Sequence, residues 1–256
     1  MPPAAAVPQY LNETYWWAYV HPNAVKLFER QWLVNLILWG NFRRLRDTAL
    51  DALGESLPGK TLQVACVYGD FTPKMAERIP AGEGSLDVVD VLPIQLSNLG
   101  RKLPEAAPVR LHHRDASSLG FDDASYERVV LFFLLHEMPL DVRRRTLEEA
   151  VRVLKPGGQL VVVDYHRPSR WHPLRGVMKF ILRNFEPFAL DLWNHEVGTW
   201  LPGNATVASK ATYWGGLYQK LVIVPKGETH EANRPVVAGG AGRGDPARGA
   251  VGSQGR

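Results

Sequence analysis

Cysteine is nearly absent from the sequence of 256 residues, and Cys66 is its single representative, so disulfides within the chain are excluded. Cys66 lies inside a short apolar run, which favours a small buried side chain over a nucleophile. The longest apolar runs fall well short of the roughly 20 residues that span a bilayer. The first residues lack the basic start and apolar core of a secretory signal. We therefore expect a cytoplasmic protein that lies peripherally on the inner face of the membrane without crossing it.

Nucleic-acid-binding motifs are also lacking, since no segment resembles a helix-turn-helix, a zinc finger or an RNA-binding strand. The formal net charge is +4. A small positive charge is typical of many soluble proteins, and it also fits attraction to an anionic surface. Of such surfaces, we expect phospholipid rather than nucleic acid. The sequence leaves the oligomeric state open.

Aromatic residues, in contrast, are concentrated in an amino-terminal arm, residues 1–56. A helix is predicted from Ala24 to about Leu53, with an apolar middle, Trp32–Trp39, and a basic end. Tryptophan, tyrosine and basic side chains favour the boundary between membrane and water. The alternative is a helix that only caps the core. The cluster that precedes this helix consists of Tyr15, Trp16, Trp17 and Tyr19.

Strands and helices alternate over residues 57–224. Strands are predicted at 62–67, 86–92, 109–113, 126–135 and 160–163, and helices at 73–79, 93–103 and 141–154. Two edge strands with a Gly-Gly bend are predicted within 213–224. Such alternation indicates an α/β domain with a mostly parallel, Rossmann-like sheet covered by helices on both faces. Residues 168–200 form an aromatic and basic insert, and residues 225–256 are predicted to be a disordered tail.

Ligands of parallel sheets bind beyond the carboxyl ends of the strands. Polar segments follow every predicted strand of the domain. We therefore expect one cleft formed by the segments Tyr68-Gly69-Asp70, Asp90, Asp115, His136-Glu137 and Asp164-Tyr165-His166.

The order of these strand-end motifs along the chain resembles that of the class I S-adenosylmethionine-dependent methyltransferases. The most specific piece is the segment 152–158, Arg-Val-Leu-Lys-Pro-Gly-Gly, before a valine-rich strand. The resemblance implies that Gly69 approaches the methionine part of the cofactor and that Asp90 holds the ribose hydroxyls. It places Asp115 by the adenine amine, with Ala116 beside it. Asp90 and Asp115 can alternatively be ordinary helix caps or turn residues.

A narrower resemblance is to the rhodoquinone biosynthesis methyltransferase-like proteins. It rests on the tryptophan-rich arm and on the segments 66–72 (Cys-Val-Tyr-Gly-Asp-Phe-Thr), 136–139 (His-Glu-Met-Pro) and 213–218 (Tyr-Trp-Gly-Gly-Leu-Tyr). The resemblance implies conversion of ubiquinone to rhodoquinone, in which an amino group replaces a ring methoxy group. It also implies that S-adenosylmethionine supplies the nitrogen and that a divalent metal such as manganese assists.

The glycine-rich turn departs from the ordinary methyltransferase pattern. Gln63 stands where an Asp or Glu is usual, Ala65 and Val67 replace glycines, and Tyr68 replaces a small residue. We assign Gln63 and Asp70 to the cofactor site with Gly69. Our hypothesis is that Gln63 holds the cofactor amine less firmly as an ammonium, which leaves a nucleophilic neutral amine. Tyr68 would crowd the sulfonium methyl group and discourage methyl transfer.

Four residues at the ends of strands four and five are candidate metal ligands: His136, Glu137, Asp164 and His166. Imidazole and carboxylate ligands together suit manganese, and a Lewis acid on a quinone carbonyl would make the ring more electrophilic. Either histidine can instead be a packed, hydrogen-bonded loop residue. We predict catalytic roles for Tyr68, His136 and Tyr165, with Tyr165 donating a hydrogen bond to a substrate oxygen or merely packing.

The sequence therefore leaves three functions open: an aminating quinone enzyme, a methyltransferase acting on a quinone or lipid, and a non-catalytic cofactor-binding scaffold. In the first two, the arm over residues 10–53 and the insert are expected to form one lipophilic lid over the cleft.

Overall fold

The computed structural model describes residues 7–14 and 30–227. Within them the α-helices are α1 (Gln9–Thr14), α2 (Gln31–Ile37), α3 (Phe42–Leu53), α4 (Phe71–Ala76), α5 (Pro93–Gly100), α6 (Leu140–Arg152), α7 (Arg175–Phe185) and α8 (Asp191–Asn194). Short 3₁₀ turns cover Leu135–Glu137 and Val197–Trp200. The strands are β1 (Gly59–Val64), β2 (Gly84–Asp90), β3 (Val109–His113), β4 (Tyr126–Phe132), β5 (Leu154–Tyr165), β6 (Ala205–Tyr213) and β7 (Tyr218–Pro225).

The described strands form one mixed sheet of seven, in the order β3-β2-β1-β4-β5-β7-β6. Strands β1 to β5 pair in parallel, whereas β7 is antiparallel to both β5 and β6. The central β4 is buried throughout Val129–Phe132, as a strand covered by helices on both faces must be. The predicted Rossmann-like α/β architecture is confirmed.

Helix α3 covers the core with a one-sided apolar stripe. Its buried residues are Phe42, Leu45, Ala49, Leu50 and Leu53, which recur at three- and four-residue steps. Arg43 and Arg44 are exposed, whereas Arg46 is largely buried and forms an ion pair with Asp70. The amino-terminal arm therefore contributes to the domain core as well as to the surface.

The continuous helix predicted for 24–53 is wrong over its described part. The chain breaks between α2 and α3, where Trp39 and Gly40 have positive φ angles of 52° and 80°. The Asn41 amide donates to the carbonyls of Leu38 and Trp39, at 3.1 and 3.0 Å, and so stabilises the break. Residues 24–29 lie outside the described residues, as do the cluster at 15–19 and the tail from 228.

Two strand predictions also need correction. Strand β5 begins at Leu154, before Pro156-Gly157-Gly158, with a register irregularity against β4 that accommodates the turn-like sequence. The Gly215-Gly216 bend does join two strands, but β7 lies between β5 and β6 and is no edge. Between residues 30 and 227, and in 7–14, none of the helices has the length and apolarity to cross a bilayer.

Candidate functional site

The main cavity, with a volume of about 490 Å³, lies at the carboxyl ends of the parallel strands. Segments that follow β1, β2, β3 and β4 line it, and so does Tyr165 at the end of β5, as the alternation predicted. Helices α1, α2 and α7 close it from the other side. The cavity therefore has a polar wall made of strand ends and an apolar wall made of helices.

The turn after β1 is held by Gln63, which is fully buried. Its amide donates to the Ala65 carbonyl at 2.8 Å, and its side-chain oxygen accepts from the Thr72 hydroxyl at 2.8 Å. A carboxylate cannot donate to a carbonyl, so this turn requires an amide here. Ala65 has a positive φ of 71°, an angle that glycine usually provides. Gln63 thus supports the turn and does not line the cavity.

Gly69 and Asp70 also lie away from the cavity wall. Gly69 has a φ of 84°, and a Cβ there would lie 2.8 Å from the Phe42 ring, so packing against α3 demands glycine. Asp70 forms an ion pair with Arg46, at 2.6 Å, and thereby ties the turn to α3. The cofactor-binding roles predicted for these two residues do not follow from their positions.

Tyr68 does line the cavity, as predicted. Its hydroxyl accepts a hydrogen bond from the Gln95 amide at 2.8 Å, and Gln95 is buried in the same wall. The phenol ring is therefore fixed in place beside the turn, next to the cavity-lining Val67.

Asp90 lines the cavity at the end of β2 and is nearly buried. Burial raises the pKa of its carboxyl to about 6, although backbone N–H groups of Leu92 and Cys66 donate to it at 2.8 and 2.7 Å. The Cys66 thiol also hydrogen-bonds this carboxylate, which lines the cavity and in its ionised form can accept ribose hydroxyls.

Asp115 and Ala116 line the cavity after β3, beside Arg114. One carboxylate oxygen of Asp115 accepts from the backbone N–H and the hydroxyl of Ser117, at 2.7 and 2.8 Å. The other carboxylate oxygen of Asp115 accepts no hydrogen bond from this loop. It can therefore accept one from the exocyclic amine of an adenine. The positions of Asp90, Asp115 and Ala116 agree with the cofactor contacts that the resemblance implied.

His136 and Asp164 form a buried pair at the ends of β4 and β5. The distance from His136 Nδ1 to Asp164 Oδ1 is 2.8 Å. Asp164 is fully buried and also accepts from the backbone N–H groups of Leu135 and Tyr165, at 2.8 and 2.7 Å. Burial alone would lower the pKa of His136, but the charge and hydrogen bond of Asp164, helped by Glu186 and Glu137, raise it to about 9. The imidazole is therefore protonated at neutral pH.

The predicted metal site is not formed, because its four members are divided between two places. Asp164 lies inside the protein and orients His136, while His166 lies outside the main cavity. The His166 Nδ1–H donates to the Gly216 carbonyl at 2.8 Å, and Nε2 is 3.1 Å from the Lys210 ammonium. The chain turns toward the β6–β7 hairpin here, since the His166 N–H donates to Leu217 O. Within the described ranges no cluster of three or more His, Cys, Asp or Glu side chains is placed to hold a metal ion.

Tyr165 contributes a buried ring to the cavity wall beside His136, with 4.9 Å between ring centroids. Burial, followed by the nearby Tyr218 and acidic groups, raises the pKa of its phenol well above the usual value. The phenol stays neutral, so it can donate a hydrogen bond, which is the predicted role.

Two cavity residues were missed from the sequence, Tyr10 of α1 and Glu186 after α7. Burial raises the pKa of Tyr10, and the charges of Glu137, Asp115 and Asp90 add to the effect. Tyr10 therefore lines the cavity near its acidic residues as a neutral phenol. No local pattern in the sequence indicates either residue, because long-range packing brings both to the cavity.

The open side of the cavity is apolar. Leu36, Ile37 and Trp39 line it from the α2 side, and Met178 and Phe185 line it from α7. The Trp39 indole donates to the Met178 sulfur at 3.1 Å, which links the arm to the insert. Leu36 and Phe185 remain 62% and 52% exposed, so the cavity mouth has an apolar rim that water covers in the isolated protein.

Residues 61–158 match a family model described as a methyltransferase domain. The chain is 29% identical over 204 residues to an uncharacterized methyltransferase of Synechocystis sp., an alignment that covers 79% of this chain and 92% of that protein. It is 30% identical over 151 residues to the demethylmenaquinone methyltransferase of Staphylococcus aureus, with 59% of this chain and 60% of that protein aligned.

Solved methyltransferase structures share the fold. The N-methyltransferase NodS from Bradyrhizobium japonicum, in complex with S-adenosyl-L-homocysteine, superposes with a TM-score of 0.54 at 17% identity, over 72% of this chain and 87% of that one. A methyltransferase from Aquifex aeolicus gives 0.53 at 17% identity, over 79% and 97%. Together with the sheet order, these findings show that the chain has the Rossmann-like fold of the S-adenosylmethionine-dependent methyltransferases and that its residues 61–158 are similar to a methyltransferase domain.

Proposed function

We propose that this protein uses S-adenosylmethionine to replace a ring methoxy group of a lipophilic quinone, ubiquinone, with an amino group. The observation that carries the proposal is the buried pair of His136 and Asp164, with 2.8 Å between Nδ1 and Oδ1, whose imidazole lines the same cavity as Asp90. A base must be unprotonated to activate a reduced quinol, whereas His136, with a pKa of about 9, is an acid at neutral pH. It suits an oxidised quinone, whose carbonyl accepts a hydrogen bond.

In the first step, His136 and the neutral phenol of Tyr165 donate hydrogen bonds to a ring carbonyl. This withdraws electrons from the ring carbon that carries the methoxy group. The amine nitrogen of the cofactor would form a bond to that carbon, and the methoxy group would leave as methanol with a proton from the amine. The ring would then accept the electron pair of the cofactor Cα–H bond, which converts the substituted aminoquinone into an imine of the aminoquinol. Water would hydrolyse this imine, so that the N–Cα bond breaks, the ring keeps the amino group and the remainder of the cofactor leaves as a 2-oxo acid. Asp90 and Asp115 hold the ribose and adenine ends of the cofactor. No step is routed through a metal, because the described donors do not assemble around one.

Methyl transfer to the reduced quinol is the second candidate. It is favoured by the similarity to the demethylmenaquinone methyltransferase. The His136 imidazolium would then stabilise a phenolate oxygen and make the neighbouring ring carbon nucleophilic. Tyr68 decides between amination and methyl transfer. Gln95 fixes its ring beside the turn after β1, where the ring leaves little room between the sulfonium methyl group and the quinol carbon that would receive it.

The test supplies ubiquinone and S-adenosylmethionine labelled either in the amine nitrogen or in the sulfonium methyl carbon, with and without manganese. Amination predicts that the nitrogen label enters the quinone and that its mass falls. Entry of the carbon label would overturn amination in favour of methyl transfer. Binding of the cofactor without any product would support a scaffold. Asp90→Asn serves as the control with an impaired cofactor site.

We also propose that the apolar rim rests on the cytoplasmic face of a bilayer, from which the quinone enters the cavity. Exposed Leu36, Phe180 and Phe185 support this orientation, at 62%, 66% and 52% exposure. A variant that combines Leu36→Ser and Phe185→Ser should bind vesicles more weakly and have a higher KM for ubiquinone. Its KM for a short-chain quinone should be unchanged. Leu140→Ser, at a position 41% exposed on α6, is the matched control. Equal effects of the two variants would contradict the orientation.

A further inference from the structure

A second cleft lies at the start of α7, between the end of β5 and the segment 193–196. We define the second cleft by the side chains that give it its charge: Arg167, Arg170 and Arg175, with His166, His195 and Glu196 at its edges. Glu196 is the single carboxylate that lines the second cleft, and it forms an ion pair with the Lys210 ammonium. The second cleft therefore carries an excess of positive charge, which neither the transfer reaction nor the cofactor uses.

Trp193 supplies an independent indication of a ligand. Its side chain lines the second cleft and is 7% exposed. Its indole Nε1–H is buried and has no acceptor among the residues that the structure describes. Buried indole N–H groups usually find a partner. An anionic oxygen bound in the cleft would satisfy this donor.

The surface next to the second cleft is suited to a bilayer. Trp171 is 80% exposed, and the Arg170 guanidinium lies 4.7 Å above its ring. Along α7, the basic residues Arg175, Lys179 and Arg183 recur every four residues and so share one face. The exposed Phe180 lies beside that stripe. Guanidinium groups beside an aromatic ring at the surface match phosphates above an acyl layer.

From these contacts we infer that the second cleft binds the phosphate of an anionic phospholipid and thereby docks α7 onto the membrane. The phosphate would lie among the guanidinium groups of Arg167 and Arg170, with the Trp193 N–H as a further donor. Such a site fixes how the protein sits on the bilayer, so the mouth of the main cavity, on the same helix, faces the acyl chains. The inference rests on the proposed bilayer contact but not on which group is transferred.

The test compares a cleft variant, which combines Arg167→Gln and Arg170→Gln, with a control variant that combines Arg101→Gln and Arg145→Gln. Arg101 follows the end of α5 and Arg145 lies on α6, and both are exposed. Sedimentation with vesicles of phosphatidylglycerol and phosphatidylcholine should show the wild type and the control binding alike. The cleft variant should bind at least ten-fold more weakly, since each basic side chain near an anionic surface contributes on the order of 1 kcal/mol. Vesicles of phosphatidylcholine alone should bind all three proteins weakly.

A second measurement follows the indole N–H resonance of Trp193, assigned by its loss in Trp193→Phe. Phosphatidylglycerol in small bicelles should shift this resonance in the wild type and not in the cleft variant. Equal vesicle binding by the cleft variant and the wild type would overturn the inference. A shift with inorganic phosphate but none with bicelles would overturn it too, because the site would then serve a soluble anion. Turnover of a short-chain quinone in detergent-free buffer stays unchanged, which separates this outcome from failure of the proposed reaction.

Discussion

The main cavity and the second cleft are both lined by residues of α7, but they carry opposite charge. The main cavity presents Asp90, Asp115 and Glu137 around a single imidazolium, whereas the second cleft presents three guanidinium groups. Carboxylates suit a cofactor that bears a cationic sulfonium, and guanidinium groups suit phosphate. One helix of 11 residues thus contributes to two sites that suit different ligands. Substitutions can alter either site without altering the other.

The largest effect is expected from Asp164→Asn in the main cavity. The substitution leaves His136 without its counter-charge inside the protein, which costs about 3–5 kcal/mol for a broken buried pair. The pKa of His136 should then fall from about 9 toward or below its usual value. Denaturant unfolding and a pH titration of the His136 ring by NMR measure the two changes. Binding to anionic vesicles should persist under conditions where the variant is folded.

The pH dependence of this pair has a definite sign. Because the folded pKa of His136 is raised, its stabilising contribution is complete below the unfolded pKa of about 6.5 and is lost as pH rises through about 9. Wild-type stability should therefore decline between these values, and the decline should be absent in His136→Gln. An equal decline in both proteins would show that another group is responsible.

The second effect concerns cofactor binding by Asp90. Asp90→Asn should weaken binding of S-adenosylmethionine by roughly 10- to 100-fold, since hydrogen bonds to a charged group contribute about 1.5–3 kcal/mol. Wild-type affinity should also fall below pH 6, where the carboxyl becomes protonated, and the variant should lack this fall. Calorimetric titration measures both. Asp122→Asn, at an exposed loop carboxylate, is the control.

The sequence allowed the carboxylates at the strand ends to be predicted better than the orientation of the turns. Asp90 and Asp115 follow buried strands, so their place at the carboxyl edge was determined by the alternation itself. The positions of Asp70 and His166 depend on partners distant in sequence, Arg46 on α3 and Lys210 on β6. Such pairings leave no periodic signal in a single sequence.

The position of Gln63 inside the turn likewise depends on its three-dimensional partners, and its predicted role at the cofactor stays a prediction. Its residue type suggested a lost cofactor carboxylate, yet its amide bridges Ala65 and Thr72 inside the turn. Only the three-dimensional arrangement of a carbonyl and a hydroxyl on either side of the amide shows this. The helix break at Trp39 was missed for a related reason, because the ring is held by Met178 of the insert.

Gln63→Glu should produce a third, smaller effect, on the stability of the turn after β1. A carboxylate oxygen would face the Ala65 carbonyl at the present 2.8 Å, so we expect a loss of about 1–3 kcal/mol in unfolding free energy, the cost of an unsatisfied buried group. The half-buried Gln159, whose amide donates to Ala52 O at 2.8 Å, provides a matched Gln159→Glu control with a smaller loss. A stability equal to wild type would mean that the turn does not need the amide.

The smallest effect is expected from Ala65→Gly. Ala65 has a φ of 71°, which strains an L-residue by roughly 1–2 kcal/mol, and glycine removes that strain at the expense of a more flexible unfolded chain. The net result should be a gain of up to about 1 kcal/mol in unfolding free energy, with vesicle binding unchanged. Ala49→Gly within α3, where the backbone is helical, is the opposite control and should destabilise. The contrary outcome is that Ala65→Gly destabilises the protein as much as Ala49→Gly does. In that case the packing of the Ala65 methyl group would outweigh the backbone strain. The replacement of glycine by alanine in this turn would then stabilise the cavity wall.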